Sequence, residues 1–216
     1  MKRLPDLRIA GAAALLFAAA GLAWYGQPSV AQKWEWLAPK YEQRLVAREV
    51  YIDPGELLQL MNDDYIDLQI FDVRDEPDWN LFHLADAERM PLKGLPAQRE
   101  RLQELPENAV LVVVSNDESL ATEAWKHLMV IARPNAYILA GGLNQWLTIY
   151  GAADAGTAAD TGITSALPDG TLRHKFKRAL GERHAAARPD EHHAPQRDYT
   201  PKVQLLKKIT RAGGCG

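Results

Sequence analysis

Hydrophobic and polar positions alternate along this chain in three rhythms, and each predicts a different kind of element. The first is an unbroken apolar run. Residues 9–25 carry no charge and are rich in Ala and Leu, and they follow a leader with Lys2, Arg3 and Arg8 against a single Asp6. Such a run after a basic leader predicts an export signal within residues 1–31. One fate is a retained single-pass anchor whose partner is the membrane. Seventeen residues are slightly fewer than the roughly 20 that cross a bilayer core; Trp24 and Tyr25 then sit at the far interface. The other fate is cleavage after the small-x-small step Ser29-Val30-Ala31. In both, the leader stays cytoplasmic and the rest reaches the periplasmic side of the inner membrane. A buried core helix fits the terminal position and the charge pattern less well.

The second rhythm is helical. Within residues 32–49, Trp34, Trp36, Leu37, Tyr41 and Leu45 recur at rough i, i+3, i+4 spacing, which predicts a short amphipathic helix or a packed linker. Asp53-Pro54-Gly55-Glu56 predicts a helix start: Asp53 as N-cap, Pro54 in the first turn, Glu56 at capping-box spacing. Leu57, Leu58, Leu60 and Met61 supply its apolar face. Further helices are expected over 96–105, over 119–130 with Leu120, Ala121, Ala124, Trp125 and Leu128 inward, and from Leu143 after Gly141-Gly142. The third rhythm is that of strands, at 68–73, 110–114 and 136–139. Residues 110–114 are a continuous Val/Leu run, which suits a parallel strand covered on both faces. Strands alternating with helices over residues 50–150 predict an α/β fold, an open parallel sheet with helices on both faces.

Composition changes the picture mainly beyond residue 150. The whole chain is 47% hydrophobic and 25% charged, an ordinary globular balance. Residues 151–170 are dominated by Ala, Gly, Thr, Asp and Ser and read as a flexible linker. The formal charge of −3 hides an asymmetry. Residues 171–216 hold eleven Lys/Arg against four Asp/Glu, a net of +7, and residues 1–170 hold fourteen against twenty-four, a net of −10. A basic tail after an acidic body predicts docking on its own domain, on an anionic partner or on a membrane surface. Within this basic, largely irregular tail, 172–188 could be helical, 189–201 irregular and 202–211 a short basic helix, with a mobile end. Nucleic acid is not an expected partner, because the tail lacks interleaved aromatics.

The one cysteine, Cys215, excludes an internal disulfide. On a basic arm beside Lys207, Lys208 and Arg211 it is a candidate reactive thiol, with an inert terminal residue as the plain alternative. His174, His184, His192 and His193 are conceivable metal ligands, but adjacent histidines in a polar segment are usually just solvated, so no metal and no cofactor is expected.

Four segments within 50–150 occur in a telling order. They are Ile70-Phe71-Asp72-Val73-Arg74-Asp75-Glu76-Pro77-Asp78-Trp79, His83-Leu84-Ala85-Asp86-Ala87-Glu88-Arg89-Met90-Pro91-Leu92, the strand ending Val112-Val113-Val114, and Leu139-Ala140-Gly141-Gly142-Leu143-Asn144-Gln145-Trp146. Together they resemble the rhodanese-like domain family. The resemblance implies a sulfurtransferase ancestry, an active-site loop after the 110–114 strand, and loop-supporting roles for Asp72, Arg74 and His83. On physical grounds Asp72 and Arg74 stand at the end of a strand, where open α/β sheets place their sites, and a buried ion pair between them is the plainer reading.

The loop itself departs from the family's C-R-x-G-x-R pattern. It reads Ser115-Asn116-Asp117-Glu118-Ser119-Leu120. Ser115 stands at the cysteine position, and a hydroxyl without an adjacent base is a poor nucleophile that cannot hold a persulfide sulfur. Asn116 and Leu120 replace the arginines, and Glu118 replaces the glycine. Asp117 and Glu118 add negative charge where an anionic donor would sit, and they are expected to cap the following helix instead. A hydrolase built on Ser115 is disfavoured, because no Gly-x-Ser-x-Gly elbow is present and His127 lies far down that helix. Two functional readings follow. One is a non-catalytic interaction module with an unknown protein partner. The other is a sulfur-handling protein of rhodanese type that uses Cys215.

Overall fold

The computed structural model describes residues 7–25, 28–106, 108–131, 135–151 and 169–204. Five strands form one parallel sheet in the order β1-β5-β4-β2-β3. They are β1 (Tyr51–Ile52), β2 (Leu68–Asp72), β3 (Ala87–Arg89), β4 (Val110–Val114) and β5 (Ala136–Leu139). The helices are α1 (Leu7–Tyr25), α2 (Val30–Val46), α3 (Pro54–Met61), α4 (Glu76–Leu81), α5 (Arg99–Glu104), α6 (Ser119–Val130) and α7 (Gly142–Tyr150). The expected α/β class and the helix over 119–130 are both found. The helix expected over 96–105 is divided, a 3-10 stretch at Leu92–Gln98 running into α5, with Pro96 inside the 3-10 part.

Period-two alternation sends strand side chains to two separate cores. Phe71, Leu111, Val113 and Ile138 face α6, where Ala121, Ala124, Trp125 and Leu128 are fully buried. Leu120 is not part of that face. It is 39% exposed, because position 120 falls on the outer side of the helix. Trp34, Tyr41 and Leu45 of α2 close this layer, and Trp34 and Tyr41 both meet the Trp125 ring edge-on. Ile70, Val110, Val112, Val114 and Leu139 point the other way, towards α3 and α7, into a core that includes Leu57, Leu143 and Trp146. β4 is thus buried on both faces, as a continuous Val/Leu run requires.

The start of α3 follows expectation in part. Asp53 caps it by accepting the Gly55 N–H at 2.8 Å, and Pro54 opens the first turn. Glu56 does not complete a capping box. It is buried, and its Oε1 accepts the backbone N–H groups of Lys202 and Val203 at 2.7 and 2.8 Å.

Those last bonds belong to a long strap. Residues 169–204 are irregular apart from a 3-10 turn at Ala185–Ala187, so the helix expected over 172–188 is absent. The reason is that its backbone groups are committed to the body of the domain. Leu180 and Gly181 N–H both donate to Leu81 O at 3.2 Å, and Ala85 N–H donates to Ala187 O at 3.0 Å. Gly181 has φ +55°, and a Cβ there would meet His83 Cε1 at 2.8 Å, so the close approach needs glycine. Ala186 and Ala187 are buried in the second core, and Trp146 Nε1 donates to Ala186 O at 2.7 Å. Farther on, Arg197 grips Asp53 with two 2.9 Å bonds, and Lys202 Nζ donates to Arg48 O and Tyr51 O, both at 2.8 Å. Of the three docking targets open to a basic tail, its own domain receives this part.

At the other end, α1 is a 19-residue helix. Its Leu15, Leu16 and Phe17 are 74%, 71% and 80% exposed. Among the described residues no helix is long and apolar enough to cross a membrane. Ser29, half of the small-x-small step, is the N-cap of α2 and forms a reciprocal capping box with Gln32. Most of 151–170, the segment 205–216 and with it Cys215 lie outside the described residues.

Candidate functional site

β2 and β4 are neighbours in register, with Asp72 opposite Val114, so the loops that follow them leave the sheet edge side by side. Asp72 ends β2 fully buried, and Arg74, two residues on, is 1% exposed. Arg74 holds Asp72 through Nε at 2.9 Å to Oδ1 and Nη2 at 2.6 Å to Oδ2. Its remaining donors reach Phe82 O at 2.6 Å and Asn116 Oδ1 at 3.0 Å. One guanidinium therefore ties the β2 loop, the end of α4 and the β4 loop together, and all its directed bonds stay inside the protein.

The β4 loop is closed in the same inward manner. Ser115 is 1% exposed. Its hydroxyl donates to Asp117 O at 2.5 Å, and its oxygen accepts the Ala121 N–H at 3.1 Å. Asp117 Oδ1 accepts both the N–H and the hydroxyl of Ser119, at 2.8 and 2.6 Å. The first N–H groups of α6 would be the natural donors to a bound anion. Here those of Ser119 and Ala121 are occupied by Asp117 and Ser115.

Asp117 thus caps α6 as expected, whereas Glu118 does not cap α6 with its side chain. Glu118 turns to α7 and α2: its Oε1 accepts the Gly141 N–H at 2.7 Å, and Arg48 clasps both of its oxygens at 2.6 and 3.0 Å. Burial pushes both carboxyls up. For Asp117 the Ser119 and Gly170 hydrogen bonds outweigh it, and for Glu118 the Arg48 and Gly141 bonds do. Both carboxyls end below their ordinary range and stay charged at neutral pH.

The start of α7 lies directly on this loop. Leu143 and Asn144 N–H donate to Ser115 O and Asn116 O at 2.8 and 2.9 Å. Gly142 has φ +60°, and a Cβ there would come within 2.5 Å of Asp117 O. The Gly141-Gly142 pair is what allows helix and loop to touch.

The strap crosses the outer side. Gly170 N–H donates to Asp117 Oδ2 at 2.6 Å, and Gly170 O accepts from Asn116 Nδ2 at 2.9 Å. Asn116 Nδ2 also donates to Asp78 Oδ2 at 2.5 Å. Asn144 Nδ2 donates to Thr171 O at 2.9 Å, and Asn144 Oδ1 accepts the Arg173 N–H at 2.7 Å. A cleft of about 420 Å³ remains beside this crossing, lined by Glu118, Gln145, Thr148, Asp169 and His174 among others.

Asp72, Arg74, Asn116, Asp117 and Ser115 are thus brought together, with Glu118 beside them. His83 serves another neighbourhood: its ring stacks on Trp79 at 3.6 Å and backs onto Gly181. Among the described residues no group of three His, Cys, Asp or Glu is placed to hold a metal ion. His184 is half-buried between Phe82 and Phe176, and His193 pairs with Asp190. Arg48, Asp78, Asn144 and Gly170 were not marked by sequence reasoning. Each acts through a partner distant in the chain; Asp78 and Asn144 lie inside the family-like segments, Arg48 and Gly170 outside them.

His174 gives one testable consequence. It faces Asn144 O at 3.3 Å and Thr148 Oγ1 at 3.5 Å, and burial holds its imidazole below the ordinary value, with nearby His184 acting in the same direction. Burial likewise lowers His127 in α6. A folded pKa below the unfolded one means that the unfolded chain binds more protons, so this stability is present above about pH 6.5 and is lost as pH falls through the folded value. Thermal melts should show a Tm that drops between about pH 7.5 and about pH 5.5, and less so in His174→Gln. An unchanged slope in that variant would count against the assignment to His174.

No curated protein matches this chain. Among solved structures it is similar to a Bacillus halodurans protein at 18% identity, over 50% of this chain and 78% of that one, with a TM-score of 0.43. A rhodanese-like domain from Anabaena is similar at 22% identity over 46% and 74%, TM-score 0.41. The polysulfide-sulfur transferase homodimer of Wolinella succinogenes is similar at 20% over 52% and 88%, TM-score 0.38. Residues 53–148 match the rhodanese-like domain family, a span that contains β2 to β5, the β2 and β4 loops and the Gly141-Gly142 turn. This part of the chain is a rhodanese-like domain.

Proposed function

We propose that this domain is a non-catalytic interaction module of an exported protein, tethered at the membrane face through α1. The observation that carries the first part is the occupation of the α6 N-terminus by Asp117 and Ser115. Sulfur transfer needs an accessible nucleophile and free donors for an anionic sulfur species. The Ser115 proton is committed to a carbonyl, its oxygen to an N–H, and two charged carboxylates stand where a donor anion would lie. At about 4 Å each like-charge contact costs roughly 1 kcal/mol in water and more in a cleft. Export and tethering rest on α1, whose exposed Leu15, Leu16 and Phe17 suit a lipid surface better than water.

The test is cyanide-dependent thiocyanate formation from thiosulfate by the full chain. No turnover is expected. Ser115→Cys alone is expected to restore none, because the new thiol inherits a site that is 1% exposed, with the Asp117 and Glu118 carboxylates beside it and no arginine in the loop to hold an anionic donor. Turnover by the natural chain that disappears in Cys215→Ala would instead favour sulfur handling through the C-terminal thiol. For the tether, α1 should carry the chain into the membrane fraction. A fully soluble full-length protein that keeps α1 would remove it.

A further inference from the structure

We infer that the remodelled loop is a binding site for an extended peptide, filled at rest by the chain's own residues 169–174; this rests on the interaction-module reading. Four hydrogen bonds join backbone groups of the strap to the side chains of Asn116, Asp117 and Asn144, and the His174 ring adds a side-chain contact to Asn144 O at 3.3 Å. Asn144 takes Thr171 O and Arg173 N–H with the two ends of one side-chain amide. It spans the residue between them much as a neighbouring strand does. Asp117 and Asn116 do the same for the N–H and C=O of Gly170. The four backbone contacts read main chain, not side chains, so any segment of the right conformation can make them.

Two features restrict the occupant. Gly170 has φ +83°, which favours glycine there. Leu172 packs against the apolar core that includes Leu143 and Trp146. The ligand class is therefore an extended protein segment reading Gly-x-apolar, and the tethered strap is the competitor that a partner must displace. Asn116 and Asn144 are themselves held, by Arg74 and by the Asn116 carbonyl, so the site is built in advance of its ligand.

The experiment uses the full chain and a labelled synthetic peptide of residues 169–178, read by fluorescence anisotropy. The natural chain should bind it weakly, because the tethered strap competes at an effective concentration of the order of millimolar. Gly170→Val in the full chain frees the site, so the natural-sequence peptide should bind at least about tenfold more tightly than to the unaltered chain. A peptide carrying the same valine should not bind. Adding Asn144→Ala to the Gly170→Val chain should lower affinity by about tenfold, since two hydrogen bonds are lost.

The proposal is overturned if the folded Gly170→Val chain gains no peptide affinity, or if binding ignores both Asn144→Ala and the peptide's glycine. Should Gly170→Val fail to fold, Arg173→Pro removes the N–H that Asn144 receives, with Arg173→Ala as the control for the lost side chain, and is read in the same way. Thiosulfate turnover would refute the non-catalytic reading without touching this result. Failure of peptide binding would leave that reading standing.

Discussion

Replacing Arg74 with methionine is expected to destabilise the domain by about 3–5 kcal/mol. The size follows from what is left behind. Asp72 is fully buried and Arg74 nearly so. Removing the guanidinium leaves an uncompensated carboxylate in a low-dielectric interior and takes away the donors to Phe82 O and Asn116 Oδ1. Arg74→Lys should recover only part of the loss, because an ammonium cannot fork across both Asp72 oxygens. Removing both charges with Asp72→Asn in the Arg74→Met background should cost less than Arg74→Met alone. Denaturant unfolding, with the double-mutant cycle closed, is the measurement. A single-variant loss below about 1 kcal/mol would mean that the buried pair is not what ties the two loops together.

The second large effect is expected at Trp146. Its side chain is fully buried, its ring lies 4.6 Å from that of Tyr150, and its Nε1–H is bonded to Ala186 O. Trp146→Ala should cost about 3–5 kcal/mol through the cavity it leaves and the carbonyl it orphans. The loss should not be spread evenly, because Trp146 joins α7 to the strap. Trypsin should cut the basic residues of the strap, such as Arg173, Lys175 and Arg178, well before it attacks α6 or the sheet. Trp146→Phe keeps most of the volume and loses the hydrogen bond, so about 1 kcal/mol is expected. Equal protease sensitivity of strap and body in Trp146→Ala would contradict this division of labour.

The sheet was legible where burial imposes a rhythm. β4 announces itself because both of its faces are covered, and α6 because its apolar spacing is uninterrupted. β1 and β3, two and three residues long at the sheet edges, carry no period to detect. In the loop, the loss of the sulfur nucleophile and its arginines could be read directly, as could capping by Asp117. Its neighbour could not be placed, because the partner that turns Glu118 away from α6 is Arg48, seventy residues earlier. Glu56 shows the same difficulty. Its spacing satisfies a local capping rule, yet its carboxylate is claimed by backbone 146 and 147 residues later. The strap was the least legible part. It is held by main-chain bonds and a few anchoring side chains, so neither helical nor strand periodicity marks it.

The order of synthesis gives the strap a further significance. A chain is made from its N-terminus, and domains begin to fold as they emerge. All five strands and α7 are complete at residue 150, whereas the groups that engage Asn116, Asp117, Asn144 and Trp146 belong to Gly170, Thr171 and Ala186. Every copy of the protein therefore passes through a stage at which its sheet exists and its strap does not. A segment offered by another chain at that moment meets a site with no tethered rival. On the peptide-site proposal, a partner's segment would meet the least competition during synthesis, before the strap has closed.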